Sequence, residues 1–255
     1  MAAHQIIHAD CMVALAGLAD ESVDCIVTDP PYGETSLEWD RWPAGWPAAV
    51  RRVLKRTGSM WCFGSQRLFI EKSAEFTGWK LAQDVIWEKH NGSGFASDRF
   101  RRVHEIATQW YRDDALWSEV YKAPQFTYDA EPKVVHRAAT PQNTFGARGR
   151  VSYATEAGGP RLMRSVMRVR SEHGRALHPT QKPIGIVEPL LRYACPPGGT
   201  VLDPFAGSGT TGAVAAQRGM QSILIEGSAE FVGVIKDRLA SDLFFASTPI
   251  PSTAA

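Results

Sequence analysis

Four short apolar runs along the chain each end at an acidic residue. Aliphatic and β-branched side chains dominate these runs, which is the pattern of strands that are buried on both faces of a sheet. The runs are Ile6–Asp10, Val23–Asp29, Thr200–Asp203 and Ser222–Glu226. We therefore predict four buried strands, each finishing at its acidic residue.

A helix-like segment follows each of the four runs. These segments are Cys11–Leu18, Pro43–Lys55, Thr210–Arg218 and Ala229–Leu239. Pro43 falls in a predicted first helical turn, where the missing N–H of proline is not needed. The alternation of strands with helices predicts an α/β protein with a parallel sheet.

The acids that end the four strands are expected at one edge of this sheet. In parallel α/β sheets, ligands bind beyond the carboxyl ends of the strands. An acid at such a position also commonly caps the helix that follows, and Asp10 suits that role well. Because all four runs end in this way, we predict a binding site at this edge.

Further patterned segments extend the sheet and then give way to an irregular region. We predict strands over Ser59–Phe63, Trp79–Lys89 and His104–Arg112, and helices over Gln66–Phe76 and Ile184–Ala194. Residues 113–177 show little apolar alternation, which indicates an inserted, loop-rich substrate segment. Residues 246–255 have the composition of a disordered tail.

Composition narrows the class of protein. A chain of 255 residues with 44% hydrophobic and 22% charged residues is typical of a soluble globular protein with one large domain or one domain with an insertion. The four cysteines form no CxxC pair, so we expect neither a zinc ribbon nor a disulfide framework. We therefore expect the protein in a reducing compartment. We expect no signal peptide, and no apolar run reaches the roughly 18 residues of a membrane span.

Charge is unevenly distributed along the chain. Nine basic and two acidic residues between Lys133 and Arg175 give that segment a net charge of +7. The rest of the chain, with 19 basic and 25 acidic residues, carries −6. A basic block in an acidic body predicts a contact with a polyanion, and the alternative is a solvated loop.

The first motif that carries chemistry is Asp29-Pro30-Pro31-Tyr32-Gly33, directly after a predicted strand. The carboxylate of Asp29 and the carbonyl of Pro30 place two hydrogen-bond acceptors side by side. Tyr32 adds an aromatic face on which a planar ring can stack. This arrangement suits an exocyclic amine on a heterocycle.

The second motif lies between a predicted strand and a predicted helix. It reads Asp203-Pro204-Phe205-Ala206-Gly207-Ser208-Gly209-Thr210. Its glycines allow a tight turn and the close approach of a ligand, and the helix N-terminus favours an anionic group. Glu226 ends the next strand 17 positions after Gly209, close to the spacing of an acid that binds ribose hydroxyls. These features predict a cofactor that contains adenosine.

Together the two motifs resemble those of S-adenosylmethionine-dependent DNA amino-methyltransferases. The order of DPPY, basic segment and DPFAGSGT resembles the β group, which implies a circularly permuted Rossmann-like methyltransferase sheet with the catalytic half first. His178-Pro179-Thr180-Gln181-Lys182-Pro183 and Ile6–Leu15 also resemble family motifs. The resemblance implies a catalytic part at 1–112, a target-recognition insertion at 113–177 and a cofactor-binding part at 178–245.

In that family, DPPY most often accompanies methyl transfer to the N6 amine of adenine. The resemblance implies a catalytic motif of Asp29, Pro30, Pro31 and Tyr32, in which Asp29 and Pro30 accept hydrogen bonds from the amine and Tyr32 stacks on the base. The amine of a stacked base cannot reach such a site, so base flipping is implied. The reaction needs positioning and electrostatics but neither a metal nor a covalent enzyme intermediate.

The resemblance also implies S-adenosylmethionine as the cofactor. Glu226 would bind its ribose, and the segment from His178 to Lys182 would approach its carboxylate. The alternatives are a surface lysine at Lys182 and a small buried hydrophobe at Cys11. The residues expected near the cofactor are Asp10, Cys11, His178, Thr180, Lys182, Asp203, Phe205, Ala206, Gly207, Ser208, Gly209, Thr210 and Glu226.

Double-stranded DNA is the partner that the resemblance implies. Arginine suits guanine and Asn or Gln suits adenine in the major groove, while most arginines contact phosphate. The candidates are Arg99, Arg101, Arg102, Gln142, Asn143, Arg148, Arg150, Arg161, Arg164, Arg168 and Arg170. The family further implies a cytoplasmic protein of prokaryotic or phage origin and points to a homodimer.

Three other functions fit parts of the sequence. Cytosine-N4 transfer uses related motifs, because the first residue of DPPY does not wholly decide the base. A catalytically silent DNA-binding relic is disfavoured by the intact Asp29, Tyr32, Asp203 and Glu226. An NAD-dependent Rossmann enzyme is disfavoured by the incomplete glycine fingerprint and by the DPPY motif.

Overall fold

The computed structural model of the protein describes residues 3–93, 97–139, 146, 149–172, 174 and 176–246. Its strands in chain order are β1 (His4–His8), β2 (Val23–Thr28), β3 (Leu54–Gly64), β4 (Trp79–Ser93), β5 (Arg102–Arg112), β6 (Phe126–Thr127), β7 (Lys133–Arg137), β8 (Val151–Thr155), β9 (Arg161–Leu162), β10 (Val166–Arg168), β11 (Thr200–Asp203) and β12 (Gln221–Glu226). Its helices are α1 (Cys11–Ala16), α2 (Trp46–Val53), α3 (Gln66–Glu71), α4 (Ile184–Ala194), α5 (Thr210–Gln217) and α6 (Ala229–Ala246), with a 3-10 turn over Ser73–Phe76.

Eight of these strands form one sheet in the order β1-β12-β11-β2-β3-β5-β4-β10. Neighbouring strands run parallel except at β5, which is antiparallel to both β3 and β4. The predicted α/β class with a mainly parallel sheet is thereby confirmed.

The four strands whose runs end at acids lie next to one another, as β1, β12, β11 and β2. Leu202 pairs with Ile26, and Asp203 pairs with Leu224, so the strand ends stay in step. The residues that follow these strands therefore meet at one edge of the sheet, as the sequence predicts. This edge is where the candidate site lies.

Five of the six predicted helices have different bounds in the structure. Helix α1 ends two residues early, α5 ends one residue early, and α6 continues to Ala246. The helix predicted over Pro43–Lys55 covers Trp46–Val53, because the backbone becomes extended at Leu54 and β3 begins there. The helix predicted over Gln66–Phe76 is divided into α3 and a 3-10 turn. The helix predicted over Ile184–Ala194 is confirmed as α4.

Hydrophobic cores on both faces of the sheet explain the nearly continuous apolar runs. Val27 of β2 packs with residues of α4 and α5, whereas its neighbour Ile26 packs with residues of α1 and α2 on the other face. Trp46 is fully buried in the second core, where its ring lies 5.4 Å from that of Phe205. This contact ties the glycine-rich motif to the core.

A second compact unit covers Pro124–Arg164. Within it, β6 pairs with β9 and β7 pairs with β8, both antiparallel. The remainder of the predicted 113–177 segment belongs to the first unit, where β10 extends the main sheet by pairing with β4. The strands of the segment are only two to five residues long. Its use in target recognition stays a prediction.

Other features of the described chain bear on the class of protein. No described helix is long and apolar enough to cross a membrane. The four cysteines are buried and free. Within the described ranges, no three His, Cys, Asp or Glu side chains are placed to hold a metal ion. The predicted tail lies outside the described residues, except for Ala246, which ends α6.

Candidate functional site

A cavity of about 1160 Å³ lies at the carboxyl ends of β1, β12, β11 and β2. The sequence-predicted residues that line it are Asp10, Cys11, Asp29, Pro30, Pro31, Tyr32, Arg99, Arg101, Arg102, His178, Thr180, Lys182, Asp203, Phe205, Ala206, Gly207, Ser208, Thr210 and Glu226. The structure thus brings both motifs and the His178–Lys182 segment to one site.

The DPPY turn places the Asp29 carboxylate at the wall of this cavity. The Tyr32 hydroxyl donates to one oxygen of Asp29, and the Lys182 ammonium donates to the other. The turn is held from below by Asp40, whose carboxylate accepts hydrogen bonds from the backbone N–H groups of Gly33 at 2.9 Å and Thr35 at 2.7 Å. Two side chains therefore hold the Asp29 carboxylate, and Asp40 holds the turn that carries it.

The alternative of a surface lysine at Lys182 is wrong, because only 8% of its side chain is exposed. Besides Asp29, its ammonium contacts Glu105 of β5, with Nζ 3.2 Å from Oε2. Lys89 of β4 pairs with the same glutamate. The predicted contact of Lys182 with a cofactor carboxylate stays a prediction, whereas its contact with the Asp29 carboxylate is a feature of the structure.

The ionisation of these groups is coupled. Burial raises the pKa of Asp29, and the positive charge of Lys182 partly offsets that increase. Burial also opposes the charge of Glu105, but Lys182 and Lys89 lower its pKa to about 2. Although burial lowers the pKa of Lys182, Asp29 and Glu105 more than compensate and raise it. Lys182 and Glu105 are thus an ion pair beside Asp29.

The Asp203 carboxylate links parts of the protein through hydrogen bonds. Its carboxylate accepts hydrogen bonds from the Thr211 hydroxyl at 2.7 Å, the Thr28 hydroxyl at 3.1 Å and the Phe205 N–H at 3.2 Å. These bonds join the end of β2 to the start of α5. Burial raises the pKa of Asp203 to about 7, against the effect of these donors.

Glu226 closes the glycine-rich turn. Its two carboxylate oxygens accept hydrogen bonds from the N–H groups of Gly207 and Ser228, both at 2.8 Å. Gly207 has a φ of +52°, which favours glycine. Gly209 begins α5 with a φ of +73° and is the predicted cofactor residue that does not line the cavity.

His178 stands between two aromatic rings at the cavity. Its ring lies 4.3 Å from that of Phe231 and 5.2 Å from that of Trp39. Burial, with a smaller effect of Lys182, lowers the pKa of His178 to about 4, so the imidazole is neutral at pH 7. Thr180 donates its N–H to His178 Nδ1 at 3.3 Å.

At the β1 end of the site, Asp10 caps α1. Its carboxylate accepts hydrogen bonds from the N–H groups of Met12 at 2.9 Å and Val13 at 3.3 Å. The predicted capping role is confirmed, and a cofactor contact stays a prediction. Cys11 is buried, and burial raises its pKa to about 11, as suits the small hydrophobe considered above.

The predicted DNA-binding residues divide into separate groups. Arg99, Arg101 and Arg102 line the cavity next to a fully exposed Phe100. Arg168 and Arg170 lie in or after β10, outside the lining. Arg150, Arg161 and Arg164 belong to the second compact unit. Gln142, Asn143 and Arg148 lie outside the described residues.

Sequence reasoning missed several residues of the site. Glu105 and Lys89 lie in two predicted strands and carry no motif, so only the pairing of β5 with β3 and β4 brings them to Lys182. Asp40 follows the DPPY turn without a recognisable pattern. Phe231 lies in α6, where an apolar residue is ordinarily read as core.

Comparisons with known proteins show which family and which relatives this sequence resembles. A family model described as DNA methylase (N6_N4_Mtase) matches residues 23–237. The Type II methyltransferase M.HinfI of Haemophilus influenzae is 30% identical over 266 aligned positions, which cover 92% of this chain and 67% of the relative.

Solved structures resemble the fold. The crystal structure of the M1.HpyAVI-SAM complex aligns with a TM-score of 0.61 and 25% identity, over 92% of this chain and 98% of that chain. The cytosine-N4-specific PvuII DNA methyltransferase aligns with a TM-score of 0.64 and 16% identity, over 96% and 93% of the two chains, which shows likeness of fold alone. The Rossmann-like methyltransferase sheet that the resemblance implies is confirmed.

The raised pKa of Asp203, about 7, generates a prediction about stability. A carboxyl group in an unfolded chain titrates near ~3.9, so between about pH 4 and 7 the folded chain holds a proton that the unfolded chain releases. The contribution of Asp203 to the free energy of unfolding therefore falls as the pH rises. We predict that the free energy of unfolding, relative to Asp203→Asn, decreases by about 2–3 kcal/mol between pH 5 and 8.

Urea unfolding of both proteins at the two pH values measures this difference. Equal pH dependence of the parent and the Asp203→Asn variant would contradict a protonated Asp203 in the folded chain.

Proposed function

Because this chain belongs to the DNA methylase family of N6 and N4 enzymes, we propose that it transfers a methyl group from S-adenosylmethionine to the N6 amine of an adenine in double-stranded DNA. The observation that carries the proposal is the Asp29 carboxylate, with 19% of its side chain exposed, at the end of β2 beside Tyr32. The names of the M.HinfI relative and of the M1.HpyAVI-SAM complex support the reaction and the cofactor.

The amine of adenine is a weak nucleophile, because its lone pair is delocalised into the ring. By accepting hydrogen bonds from the two amine hydrogens, Asp29 and the Pro30 carbonyl would favour a pyramidal nitrogen with an available lone pair. S-adenosylmethionine, when bound, supplies a methyl group on a positively charged sulfur. As the nitrogen–carbon bond forms and the sulfur–carbon bond breaks, the nitrogen gives up one proton to Asp29 or to solvent.

The other wall of the cavity fits an adenosine-containing cofactor. Glu226 is held by two backbone N–H groups and retains lone pairs for ribose hydroxyls. His178 and Phe231 add an uncharged aromatic surface. Since single small ligands occupy cavities of about 300–1,000 Å³, the volume of about 1160 Å³ leaves room for a cofactor and an extruded base.

Adenine is favoured over cytosine because the turn begins with aspartate, whereas related cytosine-N4 motifs more usually begin with serine. The likeness to the PvuII enzyme does not favour cytosine, since it concerns the fold alone. The silent-relic alternative is disfavoured because Asp29, Tyr32 and Glu226 all reach the cavity. Homodimer formation stays a prediction.

DNA would approach over the arginines at the cavity. Arg99, Arg101 and Arg102 offer positive charge there, although Arg99 pairs with Asp98 and Arg102 with Glu34. The basic residues of the second compact unit are the proposed reading element. Their charge suits phosphate, and individual arginines or amides would read base edges.

We predict that Asp29→Ala abolishes methyl transfer and leaves cofactor affinity nearly unchanged. The variant loses an acceptor at the reacting nitrogen, which should slow transfer at least about 100-fold. Incorporation of a tritiated methyl group into DNA measures the rate, and calorimetry measures cofactor binding. Asp113→Ala, which removes an exposed carboxylate paired with Arg51, is the matched control and should keep its activity. Near-normal turnover by Asp29→Ala would refute the role of Asp29.

We predict that Glu226→Ala weakens S-adenosylmethionine binding by about 10- to 100-fold, because charged hydrogen bonds to the ribose are lost. Calorimetric titration measures the affinity. Glu71→Ala is the control, since Glu71 is exposed and pairs with Arg67 on α3. An unchanged affinity in Glu226→Ala would rule out the ribose contact.

We predict that changing Arg148, Arg150, Arg161 and Arg164 together to Gln weakens DNA binding and flattens its salt dependence. Each lost phosphate contact should reduce the log–log slope by about 0.9. Fluorescence anisotropy at several salt concentrations gives the slope, and cofactor affinity should not change. Arg218→Gln is the control, because Arg218 is an exposed arginine that pairs with Glu188 and lies outside the second compact unit. If the fourfold variant keeps the parent slope and sequence preference, the reading element lies elsewhere.

A further inference from the structure

Four ionisable side chains form a row of alternating charge behind the DPPY turn. Lys182 joins Asp29 to Glu105, and Glu105 in turn pairs with Lys89. The exposed fractions of the four side chains run from 8% to 19%, so the row is shielded from solvent. Each residue comes from a different segment of the chain, which means that folding alone assembles the row.

The surroundings of Asp29 oppose a negative charge. Burial acts against it, and so does the carboxylate of Glu105 on β5. Asp203 on β11 is also close enough that the charge of Asp29 raises its pKa. Burial also keeps the Cys62 thiol of β3 and the Tyr32 hydroxyl in their neutral forms, with raised pKa values. Lys182 is a positive charge in contact with Asp29 and partly offsets these effects.

The position of Lys182 is itself fixed. The Thr210 hydroxyl, at the start of α5, donates to the Lys182 carbonyl at 3.0 Å. The ammonium lies 5.3 Å from the ring centre of Phe63 and 5.9 Å from that of Tyr32. Glu105 also pairs with the ammonium, with Oε2 3.2 Å from Nζ. The lysine is thus built into the wall and does not reach out from the surface.

We propose that Lys182 is a positioning residue for methyl transfer: it keeps Asp29 anionic and occupies one carboxylate oxygen, so that the other oxygen faces the target amine. In the structure that other oxygen accepts the Tyr32 hydroxyl, which the amine would displace or share. Glu105 keeps Lys182 in place. The inference rests on the proposed function, because a neutral carboxyl would present a donor to a group that needs an acceptor.

The test compares the pH dependence of single-turnover methyl transfer in Lys182→Met, Lys182→Arg and Glu105→Gln. In Lys182→Met, the rate at pH 7 should fall at least tenfold, and the acidic limb of the profile should move upward by one pH unit or more. Lys182→Arg should keep the limb near its parent position. Glu105→Gln removes a negative charge near Asp29, so its limb should not move upward.

Lys55→Met is the matched control. The Lys55 ammonium lies 2.7 Å from the Asp24 carboxylate, and neither residue lines the cavity. Its profile should match that of the parent. Thermal melting and cofactor calorimetry show whether each variant is folded. If Lys182→Met does not fold, the charge-balanced Lys182→Met/Glu105→Gln variant replaces it. Its limb should also move upward, but less, because the opposing charge of Glu105 is removed as well.

An unchanged pH profile in Lys182→Met, or in the double variant that replaces it, would overturn the inference. A loss of cofactor affinity with an unchanged profile would overturn it too, and would place Lys182 on the cofactor carboxylate instead. If the parent protein transfers no methyl group to DNA, the proposed function fails first, so the two failures are distinguishable.

Discussion

The site depends on how the charge of one largely buried carboxylate is balanced. Asp29 lies at the carboxyl end of a central strand, where an isolated carboxyl group would lose its hydration and take up a proton. The Lys182 ammonium offsets this loss, and Glu105 and Lys89 continue the alternation of charge. Buried pairs of this kind contribute little net stability, so their value lies in fixing one arrangement of the site.

The parallel sheet makes that arrangement possible. The ends of β2, β11 and β12 lie in step, so Asp29, Asp203 and Glu226 reach the same cavity. Asp203 ties β2 to α5 through Thr28 and Thr211, while Glu226 closes the glycine-rich turn. Two of the acids therefore shape the site, and Asp29 faces the position proposed for the reacting amine.

Much of this could be predicted from local sequence. The acid-ended apolar runs predict buried strands, and the residues of Ile184–Ala194 predict α4. Both predictions succeed because the spacing of apolar residues within a short segment indicates its secondary structure. The Lys182–Glu105 contact could not be predicted, since it requires the antiparallel placement of β5 beside β3. The end of α2 at Val53 could not be predicted either. Lys55 and its neighbours suit a helix by their local sequence, but in the structure they form the start of β3.

Single-molecule sequencing of DNA from cells that express this chain tests the central claim most directly. Cells that carry the Asp29→Ala chain provide the background. The account predicts N6-methyladenine at one recurring sequence in the first DNA and its absence from the second. N4-methylcytosine at such a sequence, or no modified base in either DNA, would contradict it.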